Sequence, residues 1–124
     1  MSALLVVVLE GEPLPWQRTR DVAGRKITDK RQRLYQQALA WRARAAMGAR
    51  RGWEPDARFE LAVRVYVSKR NADLDNYVKQ ACDSLVKAGA LVDDRRIDRL
   101  TAERWVDRAR PRLECELAVL VEVA

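Results

Sequence analysis

The sequence predicts a mixed α/β fold, an α+β arrangement in which helices pack on one mixed sheet, in the order β-α-β-α-β-β. Three observations carry this. Phe59, Leu61, Val63, Val65 and Val67 alternate with Glu60, Ala62, Arg64, Tyr66 and Ser68, the pattern of a strand with one core face. Val78, Ala81, Cys82, Leu85 and Ala88 then recur at helical spacing. Leu113, Cys115, Leu117, Val119 and Val121 alternate again. A short chain that switches between these two periods buries its apolar faces by laying helices on a sheet. At 124 residues, 1–124 is expected to form a single domain with one modest core.

The elements follow in order. Ala3 to Leu9 is a continuous aliphatic run, which predicts a strand buried on both faces and ended by Gly11. Pro13 and Pro15 forbid regular structure in the next stretch, a basic loop with room for a short irregular hairpin around Asp21 to Arg25. Thr28 or Asp29 caps a helix running to about Met47, with Leu34, Ala38, Trp41 and Ala45 on its apolar face, and Gly48 and Gly52 end it. After the Phe59 strand comes a helix from about Asp75 to Ala88, closed by Gly89. Strands near Arg99 to Asp107 and Arg112 to Val123, joined at Arg110-Pro111, complete the order. Trp41 and Trp105 are expected in the core, and Trp16 and Trp53 in loops, where packing is favoured over stacking on unpaired bases.

Composition excludes whole classes of chemistry. The chain has no histidine, so Ser-His-Asp triads and histidine bases are out, and two separated cysteines make no zinc site. Five scattered glycines form no phosphate-cradling loop. No apolar run is long enough to cross a bilayer, and Leu4 to Leu9 is followed by Glu10 rather than a cleavage-type segment. Cys82 and Cys115 fall on apolar sides of their elements, which predicts buried free thiols in a soluble protein of the reducing cytoplasm.

The charge is unevenly placed. From Leu14 to Gly52 eleven Lys and Arg stand against Asp21 and Asp29, giving +9, whereas from Asp73 to Asp94 five Asp stand against Lys79 and Lys87, giving −3. A polyanion accounts for the first segment, and a divalent cation for tolerance of the second beside it. Arg18 and Arg20, on a proline-stiffened loop, and Lys69 and Arg70, just before the carboxylates, are the candidate phosphate contacts.

If the chain is extended up to Leu74, Asp73 and Asp75 project to one side, close enough to share a cation; Asp75 can also serve as the helix N-cap. Lys79 and then Asp83 follow at four-residue steps on one helical face. Asp93 and Asp94 reach Asp73 only if the chain turns back after Gly89. Carboxylates that fix Mg²⁺ and a lysine that neutralises developing charge are what phosphodiester hydrolysis requires. Neighbouring acids favour the charged form of Lys79, which argues against a general base. The alternative for the same residues is a cap, an ion-pair ladder and a solvated turn.

The string Asp73-Leu74-Asp75-Asn76, Lys79, Asp83-Ser84-Leu85, Gly89 and Asp93-Asp94 resembles, without a gap, the D-x-D-N, K, D-x-L, G, D-D signature of the RusA family of Holliday junction resolvases. The resemblance implies a dimeric α/β crossover junction endodeoxyribonuclease of recombination and repair, often encoded in phage or prophage. It cuts four-way DNA junctions with Mg²⁺ or Mn²⁺ and uses no small-molecule cofactor and no membrane. Carried over residue by residue, it makes Asp73, Asp75 and Asp94 the metal ligands, Lys79 the functional lysine, and Asp83 and Asp93 supporting residues. The chain departs from the pattern after Asp94, where Arg95-Arg96 replace a small residue and glutamine, a change that bears on junction specificity. A non-catalytic nucleic-acid-binding protein and a general nuclease for other branched DNA are the competing functions.

Overall fold

The computed structural model describes residues 5–18, 20–27, 29–48 and 56–120. Its elements are β1 (Leu5–Glu10), β2 (Arg20–Val22), β3 (Arg25–Ile27), α1 (Lys30–Met47), β4 (Phe59–Val67), α2 (Leu74–Ala88), a single 3₁₀ turn (Asp94–Arg96), β5 (Ile97–Val106) and β6 (Arg112–Val119). The expected order holds, with the irregular hairpin resolved as the β2–β3 pair. Its two-residue turn places Ala23 (φ 52°) and Gly24 (φ 79°) both in the left-handed region, which matches the twist of the flanking strands.

Four strands make a mixed sheet in the order β1-β6-β4-β5. β4 is its hub, antiparallel to β6 and parallel to β5, with α2 as the crossover between the parallel pair. Strands β5 and β6, consecutive in the chain, are therefore not neighbours. Every second residue of β4 from Phe59 to Val67 is buried, together with Leu113, Cys115 and Leu117 of β6. Against this face pack Leu39, Ala43 and Met47 of α1 and Tyr77, Ala81 and Leu85 of α2. The cysteines are free and buried as expected.

The opposite face carries ions in place of helices. Arg64 bridges Glu114 (2.9 Å) and Glu116 (3.2 Å), and Arg112 bridges Glu114 (2.8 Å) and Asp107 (3.0 Å) while lying 3.7 Å from the ring centre of Tyr66. The Arg112 and Arg64 guanidiniums hold the Glu114 carboxyl below its usual range. This one-sided burial corrects two expectations. β1 is an outer strand with one covered face, so Leu5 and Val7 are buried while Val6 is 51% exposed. Trp105, the register partner of Tyr66, is 53% exposed because it stands on that ion-covered face.

Helix α1 begins as expected, Asp29 accepting from the Arg31 N–H at 2.7 Å, and ends at Gly48. Its buried face differs from the expected stripe: Gln32, Gln36, Leu39, Ala40, Ala43 and Met47 face inward, while Leu34 (53%) and Trp41 (72%) are exposed and Trp41 is not core. The reason is polar pairing. Gln36 donates its amide to Gln80 Oε1 of α2 at 2.8 Å, so a residue that counts as polar is satisfied inside. Thr28, Gly52, Trp53 and Val121 lie outside the described residues.

Leu39→Ala is expected to cost about 2–5 kcal/mol of unfolding free energy, as for other truncated core leucines. Leu34→Ala should stay within about 0.5 kcal/mol of the parent. Urea unfolding of both variants checks this; equal losses would place Leu34 in the core.

Candidate active site

The loop that leaves β4 is anchored on both sides before it reaches the acidic residues. Ser68 donates its N–H (3.1 Å) and its hydroxyl (3.0 Å) to Glu12, and the Arg104 guanidinium of β5 donates to the Ala72 carbonyl. Asp73 follows as the N-cap of α2, still extended at ψ 143°, but its side chain caps no backbone N–H. This corrects the expectation that the chain stays extended to Leu74 and removes the alternative of Asp75 as the cap: Leu74 is already helical and Asp75 lies in the first turn. Both carboxylates are exposed, and among the described residues neither is ion-paired. Two unengaged carboxylates thus share the helix start, where the helix dipole favours anionic groups.

Lys79 stands one turn further on. Its Nζ lies 4.6 Å from the ring centre of Trp16, so the proline-rich loop reaches the helix at this point. The Trp16 N–H donates to the Asn76 carbonyl at 3.0 Å. Gln80, fully buried, donates to the Leu14 carbonyl at 3.1 Å while accepting from Gln36. Gln17 and Gln32 exchange two more bonds, 2.5 and 3.1 Å. A cavity of about 570 Å³ opens between the loop and the helix start, with Trp16, Arg31, Asn71, Asp73 and Asn76 on its walls.

The chain does reverse after α2, at Gly89 (φ 82°), where the Ala90 and Leu91 N–H groups return to the Leu85 carbonyl. Asp93 then caps the 3₁₀ turn, accepting from the Arg95 N–H at 2.9 Å and pairing with its guanidinium, which holds the Asp93 carboxyl well below its usual range. The return delivers Asp94 to Asp83, not to Asp73. Burial pushes the Asp83 carboxyl up, Lys79 opposes the shift and the charge of Asp94 adds to it. Burial followed by the same two aspartates pushes the nearby Cys82 thiol up to about 11. A second cavity, about 550 Å³, has Asp83, Asp93 and Asp94 on its walls.

The geometry explains the separation. Eight helical residues put Asp83 about 12 Å along the axis from Asp75. Because β4 and β5 run parallel, with Phe59 opposite Ile97, the chain enters β5 at the end of the sheet remote from where it left β4. Among the described residues no three carboxylate or thiol side chains form a metal-holding group. Asp73 and Asp75 stand together at the start of α2, Lys79 follows one turn on beside Trp16 with its charge felt by Asp83, and Asp83, Asp93 and Asp94 line one cavity at the other end.

Arg18, Lys69 and Arg70 are exposed. Arg20 opens β2, and its side chain lies outside the described part. Sequence reasoning missed three contributors: Trp16 beneath Lys79, Glu12 on Ser68, and Arg104 on Ala72, whose Nε is buried without a partner among the described residues. The aromatic Trp16, held behind Pro15 in a loop ahead of the motif lysine, was a signal for the first. The other two span 56 and 32 residues and left none.

A mixed sheet, a crossover helix that starts in two unengaged carboxylates, and a proline-rich loop folded against that start define a small α+β protein. The chain belongs to the endodeoxyribonuclease RusA family, whose model matches residues 10–118, nearly the whole length. No curated protein matches it significantly.

Gln80→Leu keeps the size of the side chain but leaves the Gln36 amide and the Leu14 carbonyl unpaired inside, which should cost about 2–4 kcal/mol. Denaturant unfolding measures it. A neutral effect would show that the glutamine belt does not hold the loop.

Proposed function

We propose that the chain is a divalent-metal-dependent endonuclease that resolves four-way DNA junctions by paired symmetric nicks, working as a homodimer. The observation that carries this reading is the pair of unengaged carboxylates, Asp73 and Asp75, at the start of α2, with Lys79 one turn on over Trp16, in a member of an endodeoxyribonuclease family.

The donor set fits the implied ion. Asp73 and Asp75 offer only hard oxygen ligands, without ion-pair partners among the described residues. Mg²⁺ is typically held through one or two carboxylates with water in the remaining positions. When bound, the ion supplies an activated water and charge that stabilises the phosphoryl oxygens. Lys79 directs its ammonium toward the phosphate and offsets negative charge developing there. Lys69 and Arg70 hold the backbone next to the scissile position, and Arg18 and Arg20 hold an arm further out.

Asp94 joins Asp73 and Asp75 only if a second copy brings it there, since one chain keeps it at the far end of α2 beside Asp83. Twofold pairing supplies two such sites, which suits two symmetric cuts.

Strand cleavage of a four-way junction and of a linear duplex with the same sequence, each with and without Mg²⁺, tests the activity. Cleavage of the junction alone, and only with the ion, is expected. Asp75→Asn should fold and bind the junction, yet cut about 100-fold or more slowly, because an amide is a poor ligand for a hard ion. Near parental cutting by this variant would remove Asp75 from the site. The shared-site reading has its own test. Asp75→Asn and Asp94→Asn chains, each inactive alone, should regain nicking when mixed, because one site of the mixed dimer is then intact. No regain would keep each site within one chain.

A further inference from the structure

We propose that Trp16 is a positioning residue for Lys79, holding the ammonium at the Asp73–Asp75 end of α2 without neutralising it. The inference rests on the nuclease reading above and deepens it by assigning a role to a residue of the proline-rich loop.

Lys79 is four residues from Asp75 and four from Asp83, on one helical face, so either carboxylate is within reach for an ordinary i,i+4 ion pair. Among the described residues it pairs with neither; its Nζ lies over the indole of Trp16 at 4.6 Å. A ring face attracts a cation through its quadrupole but carries no formal charge and engages no N–H donor as strongly as a carboxylate does. The ammonium's donors are therefore left for an incoming phosphate. A salt bridge to Asp75 or Asp83 would occupy them.

The ring is fixed for this task. Its own backbone N–H is bonded to Asn76 on the turn before Lys79, and Pro15 restricts the chain just ahead of it. Behind it, Gln80 holds the Leu14 carbonyl and Gln32 holds Gln17. Four hydrogen bonds thus set the position of one indole, and that indole sets the position of one ammonium.

The experiment compares single-turnover cleavage of a four-way junction in Mg²⁺ by the parent, Trp16→Phe, Trp16→Leu, Lys79→Ala and the Trp16→Leu/Lys79→Ala double variant. Loss of a cation–π contact should slow Trp16→Leu about 5- to 30-fold, while Trp16→Phe keeps most of the rate. In the Lys79→Ala background Trp16→Leu should cost nothing further, because a residue acting through another is non-additive with it. An undiminished rate in Trp16→Leu, or the same fold-loss in both backgrounds, would overturn the proposal, the latter pointing to a base stacked on Trp16 or to folding. A second readout does not depend on activity. In protein labelled at lysine Cε, the Lys79 signal, identified by its absence from Lys79→Ala, should be ring-shifted upfield in the parent and in Trp16→Phe. A parental signal at the position of a free lysine overturns the proposal even if Trp16→Leu fails to fold. A parent that cuts no DNA sinks the nuclease reading, and the Lys79 signal then decides by itself whether the indole holds the ammonium.

Discussion

The hydrogen bond between Gln36 and Gln80 is the contact on which the joint between the two helices and the proline-rich loop depends. Two amides meet where α1 crosses α2, and the second of them turns its N–H to the Leu14 carbonyl. A buried amide without a partner is costly, so these groups specify one relative placement of two helices and a loop. An aliphatic pair at the same place would pack the helices but leave the loop unaddressed. The loop is what brings Trp16 to Lys79, and the polar core is thereby connected to the surface chemistry through adjacent residues of α2.

The second constraint is the crossover. A parallel β4–β5 pair obliges α2 to travel the length of the sheet between leaving one strand and entering the next. Residues that follow β4 and residues that precede β5 are consequently held at opposite ends, however close they lie in sequence. Asp73 and Asp75 fall in the first group and Asp94 in the second. Lys79 lies between them, resting on Trp16, and its charge is felt by the Asp83 carboxyl. One helix thus carries two acidic poles with a cation between them, an arrangement that a twofold partner running the other way would complement.

Much of this was legible in the sequence where a single period governed. β4 alternates without a fault, α2 keeps its apolar stripe and ends on a left-handed glycine, and Asp29 caps α1 as its residue type suggests. The motif from Asp73 to Asp94 identified the family. What escaped has physical causes. The inner face of α1 is partly glutamine, and a pattern search that counts only apolar side chains rotates the helix toward Leu34 and Trp41, which are exposed. Trp105 looks like core until the uncovered face of the sheet is known. Spacing in Asp73–Asp94 gives no strand direction, and direction alone decides whether Asp94 returns to Asp73. Long-range partners such as Glu12 with Ser68 have no local signature at all.

The sheet order also dictates when the protein can acquire its shape. Leu5 faces Leu117, and β6 is the only described strand beside β1. During synthesis β1 therefore has no described mate until Arg112–Val119 has left the ribosome, and α1, which packs on β1, shares the delay. Pairing across such a span carries a large loop-closure entropy, which slows folding relative to helical chains of this size. Among the described strands only the β2–β3 ribbon closes locally, and a two-stranded hairpin is marginal by itself. Assembly is accordingly late and concerted, and an unfinished chain presents the bare aliphatic run of β1 to whatever holdase or neighbour it meets first.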